Sequence, residues 1–196
     1  MSLVLSLLSG NQSLDSSSTP TFAGLKTSAN IGTAGTGATA VEYGDGYEHT
    51  TVLTVSTTLP AIAGGAALGV GKLMYTFPSG AIVVNEAKMS MAITQTQGNI
   101  NANTPDVGIG TVIASGAVAT LDGTATFENI LTGQTAANCT GTATTKTIDE
   151  GLDALVIESG VSPRTVYFNA AASWAASGDA AALLTGTITL TWKYMG

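Results

Sequence analysis

The densest group of ionisable side chains is the stretch VEYGDGYEH at residues 41–49, which sets Glu42, Asp45, Glu48 and His49 among two tyrosines and two glycines. Carboxylates beside a histidine are the raw material of a metal site or a general acid–base pair. The spacing fits neither a calcium loop nor a zinc pattern. His49 is the single histidine of the chain, so a two-histidine metal site would need subunits to share it. Gly44-Asp45-Gly46 reads more simply as a turn. Asp149, Glu150 and Asp153 fall in one short segment and read as a solvated turn rather than a catalytic pair. Nucleophilic catalysis needs a base beside the nucleophile. Serines are plentiful, but no GxSxG elbow is present and the histidine lies beside a glycine turn. Residues 61–71, AIAGGAALGVG, are followed by Lys72 with no hydroxyl partner, which makes them a small-residue loop and not a phosphate loop. Cys139 is alone, cannot form an internal disulfide, and reads as a small filler. The expectation is a protein with no catalytic residues, no cofactor and no metal, hence not an enzyme. A sugar-active enzyme is the outlying alternative. The few aromatics could form a sugar-binding row, but their simpler role is to fill a core or a subunit contact.

Composition bounds what must position these residues. Charged residues make up 10% of the 196, against about 25% in an ordinary globular chain. The net charge is −7 and the pI about 4.3. An acidic chain without a Lys/Arg cluster offers no phosphate-neutralising patch, so nucleic acid is not an expected partner. Mean hydropathy is +0.33, yet the apolar residues come in short pieces between Gly, Thr and Asn. No run reaches the roughly 18 residues of a membrane helix, and no membrane partner is expected. The start, MSLVLSLLSG, lacks a positive n-region and its apolar run is broken by serine. It is expected to dock on a neighbour rather than to be a cleaved signal.

Period-2 patterning dominates the rest. Residues 73–94, LMYTFPSGAIVVNEAKMSMAIT, place two apolar runs around Pro78-Ser79-Gly80, which predicts an antiparallel hairpin. In its second arm Ala87, Met89, Met91 and Ile93 share one face. In the last strand Leu184, Gly186, Ile188, Leu190, Trp192 and Tyr194 share a face, with threonines and Lys193 opposite. Further strands are expected at 50–58, within Val107–Val118, at 124–131, at 154–157 and at 165–169. Residues 132–147 read as a long loop, and Ile148–Leu155 as a turn with a short helical piece. Ala170–Ala182 carries helix-forming alanines interrupted by Gly178 and Asp179. About eight turn-separated strands predict an all-β fold, an antiparallel β-sandwich of jelly-roll type. Residues 1–40 are polar or rich in Gly, Thr and Ala, and cannot bury enough apolar surface alone. They are expected to form an extended N-terminal arm, leaving 41–196 as the sandwich domain.

Two stretches carry a resemblance. Asn11 to Leu25, NQSLDSSSTPTFAGL, resembles an N-terminal motif of structural proteins of tailed bacteriophages, tail appendages included, of the form NQ-x-L-x-x-x-x-SPTFAGL; Thr19 stands where serine is usual. Val166 to Gly196, VYFNAAASWAASGDAAALLTGTITLTWKYMG, resembles the C-terminal end of phage head decoration or cement proteins. Together they cover about a quarter of the chain. The resemblance implies a β-sandwich that oligomerises, often as a homotrimer, binds the major capsid protein on the capsid surface of the virion, and carries no catalytic residues. The arm would then bind a partner through Leu14, Pro20, Phe22 and Leu25. The alternative is a tail fibre or receptor-binding protein, implied by the N-terminal motif; the shortness of the chain and the lack of repeats or heptads argue against a shaft.

Overall fold

A computed structural model describes residues 31–121, 126–147, 155–158, 160, 164–174 and 176–196. Among these the fold is all-β. The strands in chain order are β1 (Thr33–Ala34), β2 (Ala38–Gly44), β3 (Glu48–Thr58), β4 (Val70–Thr76), β5 (Ile82–Thr94), β6 (Asp106–Gly110), β7 (Leu131–Thr135), β8 (Thr144–Thr147), β9 (Leu155–Ile157), β10 (Thr165–Ala171) and β11 (Leu183–Tyr194). They build two sheets. One runs β1-β4-β10-β6-β7; the other runs β2-β3-β11-β5-β8, with β9 also pairing β5. All pairings are antiparallel.

The long strands follow the period-2 pattern. Ala87, Met89, Met91 and Ile93 of β5 are buried, as are Leu184, Ile188, Leu190 and Trp192 of β11. Alternating burial of this kind puts one face of each strand on the core. Buried side chains from both sheets join one hydrophobic cluster, with Trp174, Trp192, Tyr75, Phe77 and Phe168 among its largest members. In β5 the parity changes midway. Ile82 and Val84 are buried, Asn85 is exposed, and burial resumes at Ala87. The pairing explains it: Thr191 opposes Glu86 and Trp192 opposes Val84, so Asn85 is an extra, bulged residue.

The expected hairpin over 73–94 does not form. Its arms, β4 and β5, lie in different sheets, so Pro78-Ser79-Gly80 is a corner that carries the chain from one sheet to the other. Both arms are apolar enough to be central strands, and each is flanked on both sides within its own sheet, β4 by β1 and β10 and β5 by β11 and β8. Gly80 has φ +124°, and a Cβ there would sit 2.6 Å from the Tyr194 ring; only glycine fits this corner.

Other boundaries shift. Of Val107–Val118, only the start is strand. The expected loop 132–147 contains most of β7 and all of β8, whose short Thr- and Gly-rich sequences carry too few apolar residues for a period-2 signature. The 124–131 strand is replaced by turn and bend from Thr126, with β7 starting at Leu131. The alanine run after β10 is not helical. Ala172 (φ 65°) and Ser173 (φ 60°) take the left-handed conformation, which turns the chain and aims Trp174 inward. Residues 33–34 and 38–40, assigned by composition to the arm, are hydrogen-bonded into the sheets as β1 and the start of β2. Residues 148–154, with Asp149, Glu150 and Asp153, lie outside the described residues, as do Leu14, Pro20, Phe22 and Leu25.

Candidate functional site

The acid-and-histidine stretch that opened the sequence reading spans the β2–β3 hairpin. Its tip is a turn: Asp45 Oδ1 accepts the Tyr47 and Glu48 backbone N–H groups at 2.7 and 2.8 Å. These bonds, the Glu48 one foremost, hold the Asp45 carboxyl below the usual range. The flanking strands then sort the ionisable groups by face. Thr51, Leu53 and Val55 point to the core, and the same alternation turns His49 inward. On β2 it turns Glu42 inward. Glu48 and Tyr47 stay outside, where Lys193 pairs with Glu48 at 3.1 Å and sits 5.6 Å from the Tyr47 ring centroid.

Inside, Glu42, His49, Thr51, Tyr75 and Trp192 form one polar network. The Tyr75 hydroxyl donates to Glu42 Oε1. The Gly32 N–H reaches both the Tyr75 hydroxyl oxygen (2.8 Å) and Glu42 Oε1 (3.3 Å). The Thr51 hydroxyl accepts the Trp192 indole N–H at 2.8 Å. Glu42 Oε2 lies 3.4 Å from His49 Nδ1, an ion-pair distance at which the two atoms are not aligned as a hydrogen bond. Glu42 Oε2 and both His49 ring nitrogens accordingly lack a hydrogen-bond partner. The His49 ring lies flat on Trp192, centroids 4.0 Å apart and planes 9° from parallel. Burial first, and then the bond to the Glu42 carboxylate, raises the Tyr75 phenol far above its ordinary range. Because Tyr75 belongs to one sheet and Glu42, Thr51 and Trp192 to the other, the network ties the sheets together through hydrogen bonds.

This arrangement has the residue types of acid–base chemistry without the access. The His49 side chain is fully buried and that of Glu42 is 5% exposed. A hollow of about 240 Å³ lies beside this network, lined by Glu48, His49, Thr50, Asn85, Trp192 and Lys193 among others. Among the described residues no group of three or more His, Cys, Asp or Glu side chains could hold a metal ion. Most aromatics fill the core; Tyr47, 46% exposed, is the large aromatic left outside.

Two further buried polar residues act as staples that sequence reasoning missed. Asp179 accepts the Thr96 and Gln97 N–H groups at 3.1 and 2.8 Å, the Ala181 N–H at 3.3 Å, and the Thr96 hydroxyl. Burial works to raise its carboxyl, but these donors together outweigh it and hold the group below the usual range. Asn169 accepts the Ala114 N–H and donates to the Val112 and Phe127 carbonyls at 2.8, 2.9 and 2.7 Å. Both belong to segments read as strand end or alanine run; only their polarity amid apolar neighbours could have marked them.

A groove of about 450 Å³ opens where the edges of the two sheets meet, between β1 and β2, with Ile31, Ala34, Ala40, Val41 and Glu42 among its lining. Compared with known proteins, the chain matches no protein family, no curated protein and no solved structure.

Proposed function

We propose that this chain is a structural virion protein, a capsid decoration or cement protein that binds the outside of a phage head and stabilises it by bridging capsomers. The observation that carries the reading is where the C-terminal resemblance falls. Val166–Gly196 supplies almost all of β10 and the whole of β11, and each is an inner strand of its own sheet. The stretch that resembles decoration proteins is therefore the framework of both sheets and not a peripheral tag. On this reading the two sheets face each other as a β-sandwich with jelly-roll-like connections. Residues before Ile31 extend from it as an arm that contacts the major capsid protein or a sister subunit, in a homotrimer.

The surface chemistry supports it. Threonine recurs among the exposed positions of the long strands, as at Thr54, Thr58 and Thr187. Such a surface can be covered by a neighbour without desolvating charge, which is costly. The Glu42–His49 pair is buried, its side chains 5% and 0% exposed, and no catalytic step is assigned to it.

A tail fibre or receptor-binding protein is the second reading, favoured by the NQSLDSSSTPTFAGL motif. Electron microscopy of virions with gold-labelled antibody against the full-length chain separates the two. Label over the head supports decoration; label confined to the tail overturns it in favour of the adhesin. Turnover in a glycoside hydrolase screen would overturn both.

A further inference from the structure

We propose that the hollow beside the β5 bulge is a saccharide-binding site, shaped for a single ring of a neutral glycan. The site is independent of whether the chain sits on the head or on the tail.

The strands build the hollow from both sides. Glu48 and Thr50 of β3 alternate with the buried His49, and Thr191 and Lys193 of β11 alternate with the buried Trp192. Lys193 opposes Glu48 and Thr191 opposes Thr50 in the ladder, so these polar side chains share one face of the sheet. β5 would continue that face, but its extra residue interrupts the register between Val84 and Glu86 and leaves Asn85 exposed. Bulges re-aim side chains in this way beside functional sites. On the other flank β2 ends opposite His49 in Gly44, which adds no side chain. The result is a hollow of about 240 Å³, with Gly44, His49 and Trp192 completing its lining.

That lining selects the ligand. Glu48 and Lys193 already neutralise each other at 3.1 Å, so the hollow holds no spare cation for a phosphate and no spare acid for an amine. Its remaining polar groups are neutral: the Asn85 amide, donor and acceptor at once, and the Thr50 and Thr191 hydroxyls. No hydrogen bond within the described residues occupies these three side chains. Tyr47 stands at the rim, 46% exposed, its ring centroid 5.6 Å from the Lys193 ammonium. Asp45 Oδ1 fixes it there by accepting its backbone N–H at 2.7 Å. An exposed tyrosine presents an apolar ring with a polar tip. A pyranose matches this set, with hydroxyls for the amide and the threonines and a C–H face for the tyrosine. The volume falls below the roughly 300–1,000 Å³ of pockets for drug-sized ligands. It therefore takes one ring, and the rest of a longer glycan stays in solvent.

Saturation-transfer NMR on the full-length chain tests this, with the methyl glycosides of glucose, galactose, mannose and N-acetylglucosamine offered one at a time. At least one is expected to receive saturation and to shift the amides of Glu48, Thr50, Asn85, Thr191 and Lys193. Tyr47→Ala and Asn85→Ala should each weaken its affinity about fivefold or more, the worth of a ring contact or a neutral hydrogen bond. Thr187→Ala, an exposed position of β11 outside the hollow, should leave it unchanged. Thermal midpoints of the variants establish that each is folded. Saturation of none of the glycosides, shifts confined to other residues, or an affinity indifferent to either Tyr47→Ala or Asn85→Ala overturns the proposal. Inorganic phosphate shifting the same amides where the glycosides do not would overturn it in favour of an anion site.

Discussion

The imidazole of His49 is stacked on Trp192 at 4.0 Å while its Nδ1 faces the buried carboxylate of Glu42 at 3.4 Å. One face of the ring is therefore held by packing on the indole, and its Nδ1 edge faces the carboxylate. Breaking a buried pair by removing one partner leaves the other uncompensated, at about 3–5 kcal/mol, whereas removing both is far milder. His49→Phe, which keeps a ring for Trp192 to stack on, is expected to destabilise the protein by about 3 kcal/mol. Adding Glu42→Gln should recover at least a third of that loss. Urea unfolding of the two singles and the double measures the coupling, and strict additivity would contradict it.

Tyr75 couples the same network to alkaline pH. Its folded-state pKa is raised above an unfolded value of about 10, so its contribution is intact below about pH 10 and declines as pH rises above that. The protein should show alkaline unfolding in which Tyr75 ionises only as the structure opens. Tyr75→Phe should leave the folded-state tyrosinate absorbance unchanged and shrink the jump at unfolding. It should also cost about 1–3 kcal/mol at neutral pH, because Glu42 Oε1 loses its hydroxyl donor.

Much of the fold was legible because the two longest strands announce themselves. The alternation in 87–93 and 184–194 identifies the core face of β5 and β11 correctly. The partner of each strand was not legible. Pro78-Ser79-Gly80 has hairpin chemistry, yet serves as a corner between sheets, since turn residues specify a reversal and not which neighbours the strands then choose. The buried network was half legible. Extending the Thr51-Leu53-Val55 pattern back two residues places His49 inside, but its link to Tyr75 depends on a contact between sheets that no local pattern encodes. β7 and β8 were hidden by small polar sequences.

Asp179 gives the complementary acid response. Its carboxyl is held below the ordinary range, so its stabilisation is full above the unfolded value of about 3.9 and is lost as pH falls through the lower folded value. Asp179→Asn should be destabilised at pH 7 and should flatten the acid limb of a stability–pH curve. Asp179→Ala, which strands the Thr96 and Gln97 N–H groups, should cost about 2–4 kcal/mol. An acid limb identical in Asp179→Asn and wild type would show that another carboxylate governs it.

The left-handed pair after β10 predicts a stabilising change. A non-glycine residue in that conformation costs roughly 1–2 kcal/mol, and glycine gives back part of the gain through its freer unfolded chain. Ala172→Gly should therefore raise stability by about 0.5–1 kcal/mol, visible as a higher thermal midpoint. A drop would mean that the Ala172 methyl contributes more to packing than its backbone loses to strain.

Cys139 should behave as an inert thiol. It is buried and its Sγ lies 3.4 Å from the Asn103 carbonyl. Burial, and then the charge of Asp179, pushes the thiol up to about 11, above the 8.5 or so of an exposed cysteine. At pH 8 the thiolate fraction then falls by about two orders of magnitude, and burial slows attack further. Labelling by a disulfide reagent in the native state is expected to be at least that much slower than in urea. In Asp179→Asn, which removes the nearby charge, native labelling should quicken relative to wild type by more than local opening alone explains. Hydrogen exchange at the Gln95 amide, which donates to the Cys139 carbonyl at 2.8 Å, supplies the opening rate for that comparison, and equal ratios in the two proteins would rule out the electrostatic part of the argument.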